Sequence, residues 1–461
     1  MSEEQLKAKI VKVIHEILSE EMVSPAVGIF PTVDEAVSAA KVAQERLEDL
    51  SLEQRRGIIE TIRQGMTPYI EKIARETFEE TKMGRYEDKV QKLKLAIEKT
   101  PGVEDLVTEA VTGDKGMTLY ELSPYGVIGA VTPSTNPAET LICNAIGMIA
   151  AGNAVYFSVH PGAKNVSGWV VSKLNELIYQ NCGIKNLVVT IQKPSIEAAQ
   201  EMMTHPDVAL LVITGGPGVV RQAMKSGKKT IAAGEGNPPS LVDETADIEK
   251  AAADIVLGAS FDNNILCTAE KSVVAVDSIA DFLILQMEKQ GAYYLSDERL
   301  IQKLVELKIS DNGAPSRQFV GKNASDLLAA VGIEAGADIR VILLKADKSH
   351  PFVVKEMLMP ILPVVTVRNF EEGLEAALAI ENKRHHTATM HSQNIKRLNL
   401  AAKRFQTSIF VKNGSSFAGL GFGGEGPTTF TIATPTGECT TTARNFARKR
   451  RCVLTDGFSI R

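Results

Sequence analysis

The chain has 461 residues, 44% of them hydrophobic and 23% charged, the makeup of a globular protein long enough for two or three domains. Its net charge of −5 argues against nucleic acid as a general partner, because phosphate recognition wants a basic face. Five cysteines lie far apart without a C-x-x-C pair, and no apolar run nears the ~20 residues that span a bilayer, so the expectation is a reducing cytoplasm, no zinc or disulfide framework and no membrane partner.

Taken in order, residues 1–20 form a separate unit. Leu6, Ile10, Val13, Ile14, Ile17 and Leu18 recur at helical spacing, with Glu3, Lys7, Lys9, Lys12, Glu16 and Glu20 on the other face. A break at Ser24-Pro25 and a linker over 21–29 detach this helix from the globular sequence. A one-sided helix on a tether must bury its stripe, either on its own core or in a partner's groove.

Capping-box patterns at Thr32…Glu35 and Ser51…Gln54 open helices over 33–48 and 52–99, the second broken near Pro68 and Gly84. Residues 104–124 alternate weakly and read as a protruding strand pair. From Tyr125 the pattern becomes a run of βα units. Strands are predicted at 127–132, 154–159, 187–191, 208–213 and 230–233, and helices near 138–150, 164–180, 195–204 and 217–226. Nearly all-apolar strands separated by helices imply an α/β fold with a doubly wound parallel sheet, whose ligands gather at the carboxyl ends of the strands.

Several loops at those ends carry candidate chemistry. Thr214-Gly215-Gly216-Pro217-Gly218 follows a strand and opens a helix, where a phosphate-bearing ligand can approach the backbone; by itself it is no better than a plain turn. In the loop 132–137 (TPSTNP), Asn136 by itself can serve merely as a cap of the next helix. Cys267 lies between an amphipathic run, 247–261, and a strand-like run, 272–276. A thiol on such a connection can be a nucleophile, although a lone cysteine is more often a buried structural thiol. His385, His386 and His391 read as structural or site-lining rather than as metal ligands, since no zinc spacing joins them to an acid or thiol. The basic cluster Arg448, Lys449, Arg450 and Arg451 reads as a solvated or ion-paired arm.

These segments together resemble the aldehyde dehydrogenase superfamily, in the family's order. The stretch 261–271 (FDNNILCTAEK) resembles its nucleophile loop, and 123–129 with 132–137 the segment whose asparagine donates to the carbonyl oxygen. Residues 152–161 resemble the strand and turn that hold the adenosine ribose, with His160 where many members have lysine and Ala163 where NAD-preferring members often have glutamate. Glu356 and Pro360 match the E-x-x-x-P segment whose glutamate orients the nicotinamide ribose; without that match Glu356 reads as a surface carboxylate.

Residues 234–239, 386–391, 423–426 and 431–438 point to the CoA-acylating branch found in bacterial microcompartments, and residues 1–20 resemble the encapsulation peptides of such enzymes. The resemblance implies catalytic Cys267 and Asn136, with Thr132, Pro133, His160, Thr214, Gly215, Gly234 and Glu356 at the cofactor. It also implies NAD (NADP not excluded) with coenzyme A as cosubstrate, a short-chain aldehyde, a shell partner for residues 1–20 and a homo-oligomer, dimer or tetramer. The implied domains are a nucleotide-binding unit over 30–103 and 125–234, a catalytic unit over 235–435 and an oligomerisation arm of 104–124 and 436–461. Hydrolytic relatives use a glutamate to activate water; alignment puts Ala233 at its place, and Glu235 lies two residues on. A hydrolytic enzyme that uses such a carboxylate, or a non-catalytic nucleotide-binding adaptor, are the other readings.

Overall fold

The computed structural model describes residues 27–310 and 313–460, so the helix read over residues 1–20 lies outside the described residues. The chain enters on a short strand, Ile29–Phe30, which already belongs to a sheet although the sequence reads Ile29 as linker. The helix Val33–Glu48 follows, with the Thr32 hydroxyl accepting from Glu35 N at 3.3 Å. Ser51 and Gln54 close a full capping box on Leu52–Met66. Pro68 then forces a single tight turn, Thr67–Tyr69, before Ile70–Thr81. Gly84, with φ +78°, separates that helix from Tyr86–Lys99, and a Cβ there would collide with Asp262 Oδ1.

Six parallel strands form the first sheet, in the order Ile29–Phe30, Val188–Ile191, Ala154–Ser158, Val127–Val131, Val208–Thr214 and Lys229–Ala233. The order reverses direction at Val127–Val131, which has Ala154–Ser158 on one side and Val208–Thr214 on the other. That reversal opens a crevice at the carboxyl ends of these three strands. Every residue of the helix Pro137–Ala150 is buried, as its near-continuous apolar sequence demands; it packs on Leu52–Met66 and Tyr86–Lys99.

A second parallel sheet has seven strands: Ala292–Tyr294, Val341–Lys345, Ile361–Val367, Ser272–Val276, Pro239–Val242, Thr387–His391 and Ile409–Lys412. Pro239–Val242 pairs with both Ser272–Val276 and Thr387–His391, an interior position that a four-residue strand opening on proline does not advertise. Among the described residues, no helix is long and apolar enough to cross a membrane.

Glu109–Gly113 and Gly116–Pro124 form the antiparallel pair read from the alternation, and Ala447–Thr455 adds a third strand along Gly116–Pro124. Val111, Val453 and Leu454 stand exposed on this sheet. Just before that third strand, Ala443 and Phe446 pack into the core of the first sheet.

Candidate active site

Cys267 sits on the connection that leaves the helix Ile248–Ser260 and enters the strand Ser272–Val276. The backbone turns through three successive left-handed residues, Asp262 (φ 47°), Asn263 (φ 54°) and Asn264 (φ 65°). Asp and Asn are the non-glycine residues that tolerate this region best. Each also makes its side chain part of the turn. Asn263 Nδ2 donates to Gly321 O at 2.9 Å and to Asn323 Oδ1 at 3.0 Å. Asn264 Nδ2 spans the loop, donating to Ala259 O at 2.7 Å and Glu270 O at 3.0 Å. Asp262 accepts from Arg85 N at 2.7 Å and pairs with Lys89 at 3.2 Å and Lys92 at 2.5 Å. The run of polar residues before Cys267 is therefore an inward-facing scaffold, all of it buried.

The thiol is partly buried against an apolar group that includes Leu95, Cys143, Phe261, Leu266, Phe417 and Phe430. Phe261 and Phe417 stack with ring centres 4.1 Å apart. Burial, and secondarily the Glu356 carboxylate, push the Cys267 thiol up to about 12, with Lys271 acting in the opposite direction. Burial likewise pushes Glu356 up to about 7, against the pull of Lys271; its Oε1 accepts from Gly236 N at 3.4 Å. Glu270 is pushed up to about 7 by burial as well, although Ser416 donates to it through N at 2.7 Å and Oγ at 2.6 Å.

Gly236 lies directly on the Cys267 backbone: a Cβ there would meet Cys267 O at 2.6 Å and His386 Cγ at 3.0 Å. The His386 ring is thus packed beneath this crossing, held neutral by burial, which lowers its pKa to about 3. Its Nδ1 meets Thr387 Oγ1 at 2.9 Å, while its buried Nε2 has no partner among the described residues. His391 Nδ1 lies 3.9 Å from Asp254, and His385 Nδ1 lies 3.2 Å from Gln406 O. Among the described residues no three His, Cys, Asp or Glu side chains are grouped so as to hold a metal ion.

Asn136 precedes the helix Pro137–Ala150, yet its side chain makes no capping hydrogen bond. Its Oδ1 accepts instead from the buried Lys92 ammonium at 2.6 Å. Because that nitrogen can only donate, the amide has one orientation, with Nδ2 left as donor; its one protein contact is Thr135 Oγ1 at 3.2 Å. Lys92 also pairs with Asp262 and, at 3.3 Å, with Glu139. One ammonium therefore ties the asparagine loop to the cysteine loop.

A cleft of about 550 Å³ occupies the crevice of the first sheet, a usual size for a ligand site, and Thr132, Pro133, His160, Thr214 and Gly215 all line it. The cleft suits a dinucleotide on several counts. The helix Pro217–Met224 presents an N-terminus without a side-chain cap, free to meet phosphate. A Cβ at Gly216 or Gly218 would point into open space, so the backbone there is accessible. The buried Thr132 hydroxyl has no partner among the described residues. His160 Nδ1 accepts from Gly162 N at 3.0 Å and so shapes the turn Pro161–Ala163.

Gly234 and Glu356 are not in this cleft's wall; Gly234 packs on Pro435, and Glu356 lies with Gly236 by the cysteine loop. Ala233 ends a strand, buried, and Glu235 pairs with Arg384 at 3.3 Å. The residues that sequence reasoning passed over are Lys92, Asp262, Glu270 and Lys271. For Asp262, Glu270 and Lys271, charged side chains beside Cys267 in an otherwise apolar stretch were the signal available; Lys92, on a distant helix, had none.

A model of the aldehyde dehydrogenase family matches residues 3–293. The chain belongs to the aldehyde dehydrogenase family. It is similar to a propanal dehydrogenase (CoA-propanoylating) of Citrobacter freundii, 54% identical over 455 residues that cover 97% of this chain and 98% of the relative. Among solved structures of this aldehyde dehydrogenase fold, that of Rhodopseudomonas palustris propionaldehyde dehydrogenase with bound CoA and an acylated cysteine matches with a TM-score of 0.93. It is 50% identical and covers 94% of this chain and 99% of that one. A propionaldehyde dehydrogenase from the Clostridium phytofermentans fucose utilisation bacterial microcompartment matches with a TM-score of 0.93, at 46% identity, over 94% of this chain and 100% of that one.

Proposed function

We propose that this aldehyde dehydrogenase oxidises propionaldehyde or acetaldehyde to the acyl-CoA, with a nicotinamide dinucleotide and coenzyme A, through a thioester on Cys267. The observation that carries the reading is the 54% identity to a CoA-propanoylating enzyme over nearly the whole chain, joined to an alanine where a hydrolytic base would stand. The Cys267 thiolate adds to the aldehyde carbon, and the oxygen takes up the negative charge. Asn136 Nδ2 and the Cys267 N–H stabilise that oxyanion. Thr132, Pro133, His160, Thr214 and Gly215 would hold the dinucleotide, which would supply the hydride acceptor. Collapse of the oxyanion leaves the acyl group on Cys267 as a thioester. Ala233 offers no general base for water, and Glu235 is engaged by Arg384, so the acyl group awaits the coenzyme A thiol, whose attack expels Cys267 and releases acyl-CoA. Gly234 and Glu356 are assigned to the nicotinamide end of the cofactor.

The same reading divides the chain into a nucleotide-binding unit (30–103, 125–234), a catalytic unit (235–435) and an oligomerisation arm (104–124, 436–461). The arm's exposed Val111, Val453 and Leu454 support its assignment to a subunit interface of a dimer or tetramer. The microcompartment source of a similar structure supports a shell partner for residues 1–20 and a place inside such a compartment. The test is pre-steady-state: enzyme mixed with propionaldehyde and NAD should form about one NADH per site in a burst, then turn over slowly until coenzyme A is added. Equal steady-state rates with and without coenzyme A would give the free acid as product and refute the acylating assignment.

A further inference from the structure

Lys271 is fully enclosed, 3% exposed, and it differs from the chain's other buried active-site lysines. Lys89 and Lys92 each pair with a carboxylate. Lys271 Nζ donates to three neutral oxygens: Asn264 O at 2.8 Å, Asn264 Oδ1 at 2.6 Å and Leu266 O at 2.9 Å. Three acceptors match the three protons of an ammonium, whereas a neutral amine has only two to give. Burial lowers its pKa to about 8, which leaves it mostly charged at neutral pH. The Glu356 and Glu270 carboxylates act on it electrostatically without a hydrogen bond, so the burial of this cation is only partly offset, and its place beside the nucleophile points to another use.

The third acceptor identifies that use. Leu266 C=O and Cys267 N–H are the two ends of one peptide group, which is planar and trans, so anchoring the carbonyl in one direction aims the N–H in the other. Gly236 presses on the next carbonyl, that of Cys267, from its own side. A cation on the carbonyl also draws electron density through the amide and makes its N–H a stronger donor. We propose that Lys271 is a positioning residue for the oxyanion, fixing and polarising the Leu266–Cys267 peptide so that the Cys267 N–H meets the developing charge. This rests on Cys267 being the nucleophile.

The experiment compares two reactions of Cys267 in the parent, in Lys271→Met and in Lys271→Gln. Acylation, read as the NADH burst with propionaldehyde, passes through an oxyanion. Alkylation by iodoacetamide needs the thiolate but forms none. With Lys271→Met the burst rate should fall by about 10²-fold, the loss typical of one oxyanion donor, while alkylation falls tenfold or less and the KM for aldehyde changes by less than about threefold. Lys271→Gln, a neutral donor, should fall between the two. In Lys271→Ala, methylammonium should restore part of the burst and methanol should not.

A parental burst in Lys271→Met, or equal losses in the two reactions, would overturn the proposal, as would failure of both the Met and Gln variants to fold, which would make Lys271 a folding clamp only. A Cys267→Ala protein that keeps the parental burst would instead refute the nucleophile reading underneath, a separable result.

Discussion

Replacing Lys92 with methionine should damage stability and turnover through the same three contacts. The ammonium pairs with Asp262 at 2.5 Å and Glu139 at 3.3 Å and fixes Asn136 Oδ1 at 2.6 Å. Removing one partner of a buried ion pair costs about 3–5 kcal/mol because the other charge is stranded. Here Lys89 still faces Asp262 at 3.2 Å, but Glu139 loses its ion-pair partner and already has an unpartnered Oε2. The loss should therefore lie near the lower end, about 3 kcal/mol. Urea unfolding at pH 7, followed by the fluorescence of Trp169, measures it. Burial works to raise the Asp262 pKa, but Lys89 and Lys92 outweigh it and hold the carboxylate below its ordinary value. A depressed folded pKa gives stability that is full above the unfolded value of about 3.9 and is lost as pH falls through the folded one. The gap between parent and variant should accordingly be full near neutrality and narrow in acid. In catalysis, an Asn136 amide free to flip should slow the burst by about tenfold or more, and by no more than the ~10²–10³ that loss of the donor itself brings. If Lys92 acts through Asn136, Lys92→Met added to Asn136→Ala should slow the burst no further. A variant within about 1 kcal/mol of the parent, or a double variant much slower than Asn136→Ala alone, would refute the reasoning.

Other outcomes follow from the same geometry. Cys267→Ala should reduce NADH formation to below about one-hundredth of the parental rate, with dinucleotide binding, measured by fluorescence quenching, nearly intact. Gly236→Ala would bring a Cβ to 2.6 Å from Cys267 O; the resulting shift should slow acylation by about tenfold or more while the circular dichroism spectrum stays parental. Deleting residues 1–20 should leave activity unchanged and abolish co-purification with a microcompartment shell; aggregation of the truncated enzyme would show instead that the stripe packs on its own core.

Much of the first sheet was legible because its inner strands are mostly apolar and a helical stretch separates each from the next. Val208–Thr214 and Lys164–Cys182 differ from their expected limits by a residue or two. The strand Pro239–Val242 was not legible: four residues, one of them proline, have no periodicity to read, and its interior place in the second sheet is set by neighbours over 30 and nearly 150 residues away. At the site, five residues expected at the cofactor do share one cleft, since loops at a reversal of strand order converge whatever their spacing in the chain. The cations were invisible for the opposite reason. Lys89 and Lys92 lie on the helix Tyr86–Lys99, one turn apart and far in sequence from Asp262, and a lysine on a mixed helix looks like a solvated one until its partner is placed.

The fate of the thioester is where the acylating reading is most exposed. Water must be activated to attack Cys267, and a positioned general base contributes about 10²–10⁴-fold. Ala233 cannot act as one, and Glu235, exposed and paired with Arg384, is turned toward a guanidinium. Glu235→Gln should therefore leave the slow, coenzyme-A-independent phase within about twofold of the parent. Ala233→Glu should accelerate that phase if the new carboxylate reaches the attacking water, since the strand Lys229–Ala233 ends just before Gly236, which touches the Cys267 carbonyl. Acid production, followed by pH-stat with coenzyme A left out, separates the two variants. If Glu235→Gln instead removes most of the residual hydrolysis, then Glu235 leaves Arg384 during turnover, the chain does carry a base, and the slow hydrolysis on which coenzyme A depends needs another cause.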